Sequence, residues 1–219
     1  MITLSTLAFD VAWRETVGDR HHVALRCDSP GRTWAERARY VEMAREELDV
    51  DLSLLRLFDR PAAELYGWHR EGTAARATVA VAKGGRGAVA SRHGEHVTLR
   101  PCRADDLPAA VLASLPAADP LTVSMTLPLP AEHDEFADPL HRTTLPGLLT
   151  EDRTGAGEFY AARRDRLGHR TRAEFPVAYA DTGDGRFVTT LRRAQDGAVW
   201  LNVVPARLLH QELSNLLTS

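Results

Sequence analysis

The chain has 219 residues, 44% of them apolar and 26% charged, with a formal net charge of -3 at neutral pH. That length and balance suit a globular protein with a sizeable core and argue against intrinsic disorder. A mildly acidic chain is also poorly suited to non-specific binding of DNA or RNA.

The N-terminal "MITLSTLAFDVAW" lacks the basic start and long apolar stretch of a signal peptide, and no apolar run reaches the length of a membrane span. A soluble, cytoplasmic protein is expected. The first helix is expected in "STLAFDVAWRETVG", with Leu4, Leu7, Ala8 and Val11 on one face, Ser5 or Thr3 as its cap and Gly18 closing it. A short apolar run, "DRHHVALRCDSPGR", follows between turn signals.

A second helix is better marked. Thr33 and Glu36 form a capping box, in which each side chain satisfies the other residue's free backbone N–H. Trp34, Ala38, Val41 and Leu48 share a stripe along it. A short helical piece, "DLSLLRLFDR", is expected to stop before Pro61.

From Ala63 the hydrophobic period changes from helix to strand. "AELYGWHREG", "ARATVAVAKGG", "GAVASRHG" and "EHVTLRPC" predict an antiparallel meander joined by tight turns, with Ala77, Val79 and Val81 on one side and Val97 and Leu99 likewise. A helix in "RADDLPAAVLASL" aligns Leu107, Val111 and Leu115. In the proline-rich stretch 116–150, "LTVSMTLPLP" reads as a strand or an extended edge and "TTLPGLLTEDR" as a short helix.

The meander pattern then returns in "GEFYAARRDR", "RTRAEFPVAYADT", "GRFVTTLRR" and "AVWLNVV", with Asp-Gly turns as hairpin signals. A last helix, "PARLLHQELSNLL", opens on proline and carries Leu209, Leu213 and Leu216 in a stripe. Val97, Leu99, Leu107, Val111 and Leu115 superpose without gaps on Val199, Leu201, Leu209, Leu213 and Leu217. The expectation is an α+β fold: an antiparallel β-sheet of two pseudo-two-fold-related units, each a four-strand meander plus a helix, flanked by helical bundles. The pseudo-repeat halves, about 63–115 and 155–217, are expected to form a single domain spanning 1–219, since each alone has too little core.

The segment 163–172 crowds Arg163, Arg164, Arg166, Arg170 and Arg172 with His169. With Leu167-Gly168 as a two-residue turn, Arg166 faces His169 and Arg163 faces Arg172. Tyr160, Ala162, Phe175, Val177 and Tyr179 then share a core face. Three readings stay open: a solvated hairpin end, a protein-docking surface, or a nucleic-acid contact. The last is weakened by the lack of interleaved aromatic residues. Lys83 is the only lysine, and an arginine skew of that kind suits a GC-rich coding bias as well as a function.

Chemical sites are poorly supported. "AKGGRG" is not a phosphate loop, because its lysine precedes the glycines and no helix follows; it reads as a hairpin loop in which Lys83 and Arg86 can touch a partner. "EHDEF" (132–136) and His21-His22 lack metal-ligand spacing. Cys27 and Cys102 are far apart, without CxxC spacing or a paired base, and Cys102 reads as a small buried hydrophobe. There is no GxSxG elbow. Trp13 and Trp34 fit helix faces, and Trp200 points to a covered second sheet face or a partner surface, with core the favoured use.

Taken together, "LSTLAFDVAW", "VTLRPC", "GEFYAARRDRLGHRTRAEFPVAYADTGDGRFVTT" and "VWLNVVPA" before a closing helix resemble the EspG family of ESX (type VII) secretion-associated proteins. The resemblance implies a cytosolic, non-enzymatic chaperone or adaptor with no cofactor and no metal. Its implied partner is an aggregation-prone helical substrate, a PE/PPE-like heterodimer or a WXG-type protein, and neither nucleic acid nor a membrane. The implied partner-binding residues are Lys83, Gly84, Gly85, Arg86 and Gly87 in the loop between the second and third strands of the first meander. Leu208 and Glu212 in the closing helix join them, with the 104–115 helix packed nearby. The alternative is a self-associating structural protein of the same fold, in which the free surface serves a homodimer and no PE/PPE partner exists.

Overall fold

A computed structural model of the chain describes residues 1–18, 20–27, 31, 33–129 and 153–218. Its strands are β1 Ile2–Ser5, β2 Ala63–Glu71, β3 Ala74–Lys83, β4 Arg86–His93, β5 His96–Cys102, β6 Met125–Leu129, β7 Gly155–Arg164, β8 Arg170–Arg172, β9 Val177–Thr182, β10 Gly185–Arg193 and β11 Val199–Pro205. Its α-helices are α1 Thr6–Thr16, α2 Trp34–Ala44, α3 Leu107–Leu112 and α4 Leu209–Thr218. The strands form one antiparallel sheet in the order β1-β5-β4-β3-β2-β7-β9-β10-β11-β6, with β8 a side branch on β7. The fold is therefore mixed α+β on a large antiparallel sheet.

Alternation along the strands divides the core between two faces. Val79, Val81, Val97 and Leu99 pack under Phe9 and Trp13 of α1 and Leu55 of a 3₁₀ turn. Leu65, Phe159 and Tyr179 pack on the other face under Val111 of α3 and Leu213 of α4. A smaller cluster of Phe187, Leu201 and Val203 is covered by apolar residues of 121–129. The stripe Leu209, Leu213 and Leu216 is buried as its spacing predicts.

Two glycine positions decide local geometry. Gly84 and Gly85 both take positive φ, +57° and +76°, which is what a two-residue hairpin turn needs to follow the twist of its strands. Gly67 lies in the seam where β2 meets β7. A Cβ there would stand 2.1 Å from Glu158 O and 2.5 Å from Phe159 Cδ1, so only glycine lets these strands approach.

Several expectations need correction. Residues 2–5 are a strand rather than the start of the first helix: Leu4 pairs with Val97 on β5, and Ser5 caps α1 by accepting from Ala8 N at 3.1 Å. The capping box of α2 is present, but only half of its expected inner stripe faces the core. Trp34 is 92% exposed and Ala38 is exposed, while Arg37, Val41, Ala44 and Leu48 face inward. The cause is Arg37, whose Nη1 lies 2.5 Å from the buried Asp10 Oδ2 of α1 and sets the rotation of the helix. Trp68 and Trp200 are also partly exposed, so Trp13 alone of the tryptophans fills the core.

The arginine hairpin slips by one residue. Arg164 pairs with Arg170 and Ala162 with Arg172, so the loop holds Arg166, Leu167 and Gly168 rather than two residues. The Asp165 carboxylate stabilises that turn by accepting from Leu167 N and His169 N, each at 2.9 Å. A one-residue slip moves every later side chain to the opposite face. Phe159, not Tyr160, therefore shares a face with Val177 and Tyr179, and Tyr160 lies against the other core.

The single strand expected over 170–182 is divided into β8 and β9, interrupted at Pro176, which has no N–H to give to a ladder. The helices are shorter than expected as well. Asp106 caps α3 by accepting from Ala109 N at 3.1 Å, and Pro205 ends β11 before a 3₁₀ turn leads into α4. "LTVSMTLPLP" supplies the edge strand β6. "EHDEF" and most of "TTLPGLLTEDR" lie outside the described residues.

Candidate functional site

Two stretches singled out in the sequence meet at one end of the sheet. Ala63, the first residue of β2, pairs with Ala82 on one side and Arg163 on the other. The β3–β4 turn and the β7–β8 loop consequently flank the start of β2. Between them lies a groove of about 570 Å³ whose wall includes Arg60, Ala62, Lys83, Arg164, Arg166 and Leu167.

Each wall residue is placed by a local cause. Arg60 has φ +48°, the only positive φ at a non-glycine residue among those described. It turns the chain into Pro61 and then β2, where Ala62 N donates to Ala82 O at 2.8 Å and Arg164 N donates to Ala62 O at 2.9 Å. Lys83 Nζ donates to Asp59 O and lies 3.5 Å from both Arg56 O and Asp59 Oδ2. Lys83 thus clamps the β3–β4 hairpin to the 3₁₀ turn Leu52–Leu57, and Arg86 carries the exposed charge of the turn. Arg164 Nη1 donates to Gly168 O at 3.0 Å, which aims its guanidinium along the loop.

The remaining arginines of the hairpin fold back on the sheet. Arg170 Nε donates to Glu64 Oε1, and Arg172 lies 4.0 Å above the Tyr160 ring. Glu64 is buried, which by itself raises a carboxyl pKa; His22, 3.2 Å away, and Arg170 more than offset this and hold it below the usual range. Burial and the hydrogen bond from its hydroxyl to Glu158 push Tyr160 up to about 12.

Lys83, Gly84, Gly85, Arg86 and Gly87 therefore sit together on one hairpin beside the groove. Leu208 and Glu212 belong to the helical layer on the α4 side. Leu208 is half-buried, and Glu212 is turned inward at 8% exposure with Arg192 Nη2 3.3 Å from its carboxylate. Sequence reasoning missed Asp10, Arg37, Glu64 and Arg60. Asp10 carried a signal, an acid inside the apolar run "LAFDVAW", where a buried carboxylate demands cationic partners.

His21 and His22 serve separate carboxylates: His21 Nε2 lies 3.1 Å from Asp10 Oδ1, and His22 Nε2 lies against Glu64. Cys27 is buried and Cys102 half-buried, and burial raises the pKa of the Cys102 thiol. Among the described residues no group of three or more His, Cys, Asp or Glu side chains could hold a metal ion. No helix among them is long and apolar enough to cross a membrane.

The arrangement defines an α+β protein with a basic groove framed by two hairpin ends. The chain belongs to the EspG family: the sequence model of that family matches residues 5–210. The fold is similar to that of EspG5, the type VII secretion system chaperone of Mycobacterium tuberculosis solved in complex with the PE25-PPE41 dimer. The TM-score is 0.68 at 15% identity, covering 99% of this chain and 95% of that one. No curated protein matches the sequence.

Proposed function

We propose that this chain is a chaperone or adaptor of type VII (ESX) secretion. It holds an aggregation-prone helical secreted protein of PE/PPE type, or a WXG-type relative, in soluble form until export. The observation that carries this reading is family membership over residues 5–210. The EspG5 fold, solved with a PE25-PPE41 dimer, supports it. The role is cytoplasmic and non-enzymatic. It needs one partner surface and no cofactor.

In this reading the chain is one domain built from two related halves. The meander β2–β5 followed by α3 mirrors the set β7, β9, β10 and β11 followed by α4, and the halves abut along β2 and β7. The rigid sheet presents its hairpin ends, residues 83–87 and 163–172, to the partner. Leu208, at the start of the helical layer, adds apolar contact, and Glu212 braces that layer through Arg192. A preformed surface of this kind excludes water from an apolar helical tip without a large ordering cost on the chaperone side.

Co-expression with a helical ESX substrate from the same host tests the proposal. The substrate should move from the insoluble to the soluble fraction and co-elute with this chain. A substrate equally soluble alone, with no complex on gel filtration, sinks the idea. Light scattering over a dilution series separates it from the self-association alternative, which requires a dimer in the absence of substrate.

A further inference from the structure

Three arginines of the groove have no carboxylate partner among the described residues: Arg60, Arg164 and Arg166. The other ionic groups on its wall are already engaged. Lys83 is held by Asp59 and the Arg56 carbonyl. Asp165 accepts from Leu167 N and His169 N, and His169 Nδ1 lies 3.3 Å from its second oxygen. The groove thus concentrates positive charge on a chain whose net charge is -3.

A further observation points to a guest with acceptor oxygens. Arg164 Nε is buried with no hydrogen-bond partner, so the protein alone leaves this guanidinium unsatisfied. An apolar element completes the site, for Leu167 stands at the lip with 82% of its surface exposed. Among the described residues no aromatic side chain lines the groove to offer the stacking platform that single-stranded nucleic acid uses.

We infer that this groove docks an acidic segment of the partner polypeptide. Its carboxylates pair with the guanidinium forks of Arg60, Arg164 and Arg166, and a flanking apolar side chain rests on Leu167. Charge complementarity selects the occupant. The inference rests on the chaperone reading for the identity of the partner as a secreted protein, and it adds the chemistry by which that partner is chosen.

The test uses the full chain and two short fluorescent helical peptides that share one apolar framework, one bearing glutamates and the other glutamines. Fluorescence anisotropy should show the glutamate peptide binding, with affinity falling as salt rises toward about 0.3 M. The glutamine peptide should bind at least about tenfold more weakly. Arg60→Glu/Arg166→Glu should abolish the preference with melting behaviour unchanged, and Arg166→Glu alone, in the exposed loop, should reduce it. Equal binding of both peptides, no binding of the glutamate peptide, or tighter binding of an oligothymidine probe overturns the inference.

The same double variant separates the two proposals. If it recovers the helical substrate at the wild-type yield, the groove is not the docking site and the chaperone role stands. If the wild-type chain holds no substrate yet still prefers the glutamate peptide, the chaperone role falls and the acidic-segment site stands.

Discussion

Arg170 donates to Glu64 from 106 residues away in sequence, fastening the arginine-rich hairpin to the start of β2. His22 approaches the same carboxylate from the N-terminal segment. One buried acid thus joins three parts of the chain at the end of the sheet that carries the groove.

That junction sets a pH dependence. Glu64 is held below the ordinary carboxyl range in the folded protein, since His22 and Arg170 outweigh the opposing effect of burial. A depressed carboxyl stabilises the fold above its unfolded pKa of about 4.5, and this contribution is lost as pH falls through the lower folded value. Glu64→Gln should cost about 2 kcal/mol at neutral pH by leaving Arg170 without its counter-charge. It should also flatten the acid limb. Chemical denaturation of both proteins at neutral and acidic pH reads the difference.

Asp10 is fully buried in α1 and is held by Arg14 at 3.0 Å and Arg37 at 2.5 Å. Ala44 is the only buried residue that α2 contributes, so the Arg37 link carries much of the attachment of this helix. Asp10→Ala should destabilise the protein by about 3–5 kcal/mol, because two guanidinium groups lose their partner. Arg37→Ala should act more locally. Hydrogen exchange should speed up across Trp34–Ala44 while the sheet amides keep their protection.

His69 lies in the sheet at 3% exposure with both ring nitrogens lacking hydrogen-bond partners. Burial, with repulsion from Arg76, Arg186 and His93, lowers its pKa to about 4. The neutral form is thus the folded form. Its contribution is complete above the unfolded value of about 6.5 and is lost as pH falls from there toward 4, to a total of about 3 kcal/mol. His69→Phe should remove that slope. Thermal melts between these limits check it, and an unchanged slope in the variant would contradict the assignment.

Gly67 admits no side chain. Gly67→Ala should destabilise by more than about 2 kcal/mol, since the new Cβ meets the backbone of β7 rather than a movable side chain. Gly84→Ala is the control. It tests an open turn, where nothing lies within 4 Å of the added atom and only the positive φ is penalised, at roughly 1 kcal/mol. Equal losses at the two positions would mean that close approach along the β2–β7 seam is not what Gly67 provides.

Much of the scaffold was legible because strand alternation and glycine turns are local signals. The boundaries of β2 to β5 follow from apolar period and turn residues, and the stripe of α4 from its leucine spacing. The exposed face of α2 was not legible. Trp34 and Ala38 have the right spacing for a core stripe, but the Asp10–Arg37 pair outweighs that preference. The hairpin register was hidden for a similar reason. Leu167-Gly168 reads as a two-residue turn until the Asp165 carboxylate captures two backbone amides and lengthens it.

The sequence by itself determined the alternating strands, the capping box and the chemical make-up of two hairpin ends, because each depends on residues a few positions apart. Only the tertiary structure decided that those ends lie side by side. Pairing of β2 with β3 and with β7 is a long-range hydrogen-bonding choice, set by which faces can be buried together and by the close approach that Gly67 permits. That choice brings Arg60, Arg164 and Arg166 around one groove, although a hundred residues of chain separate the first from the others.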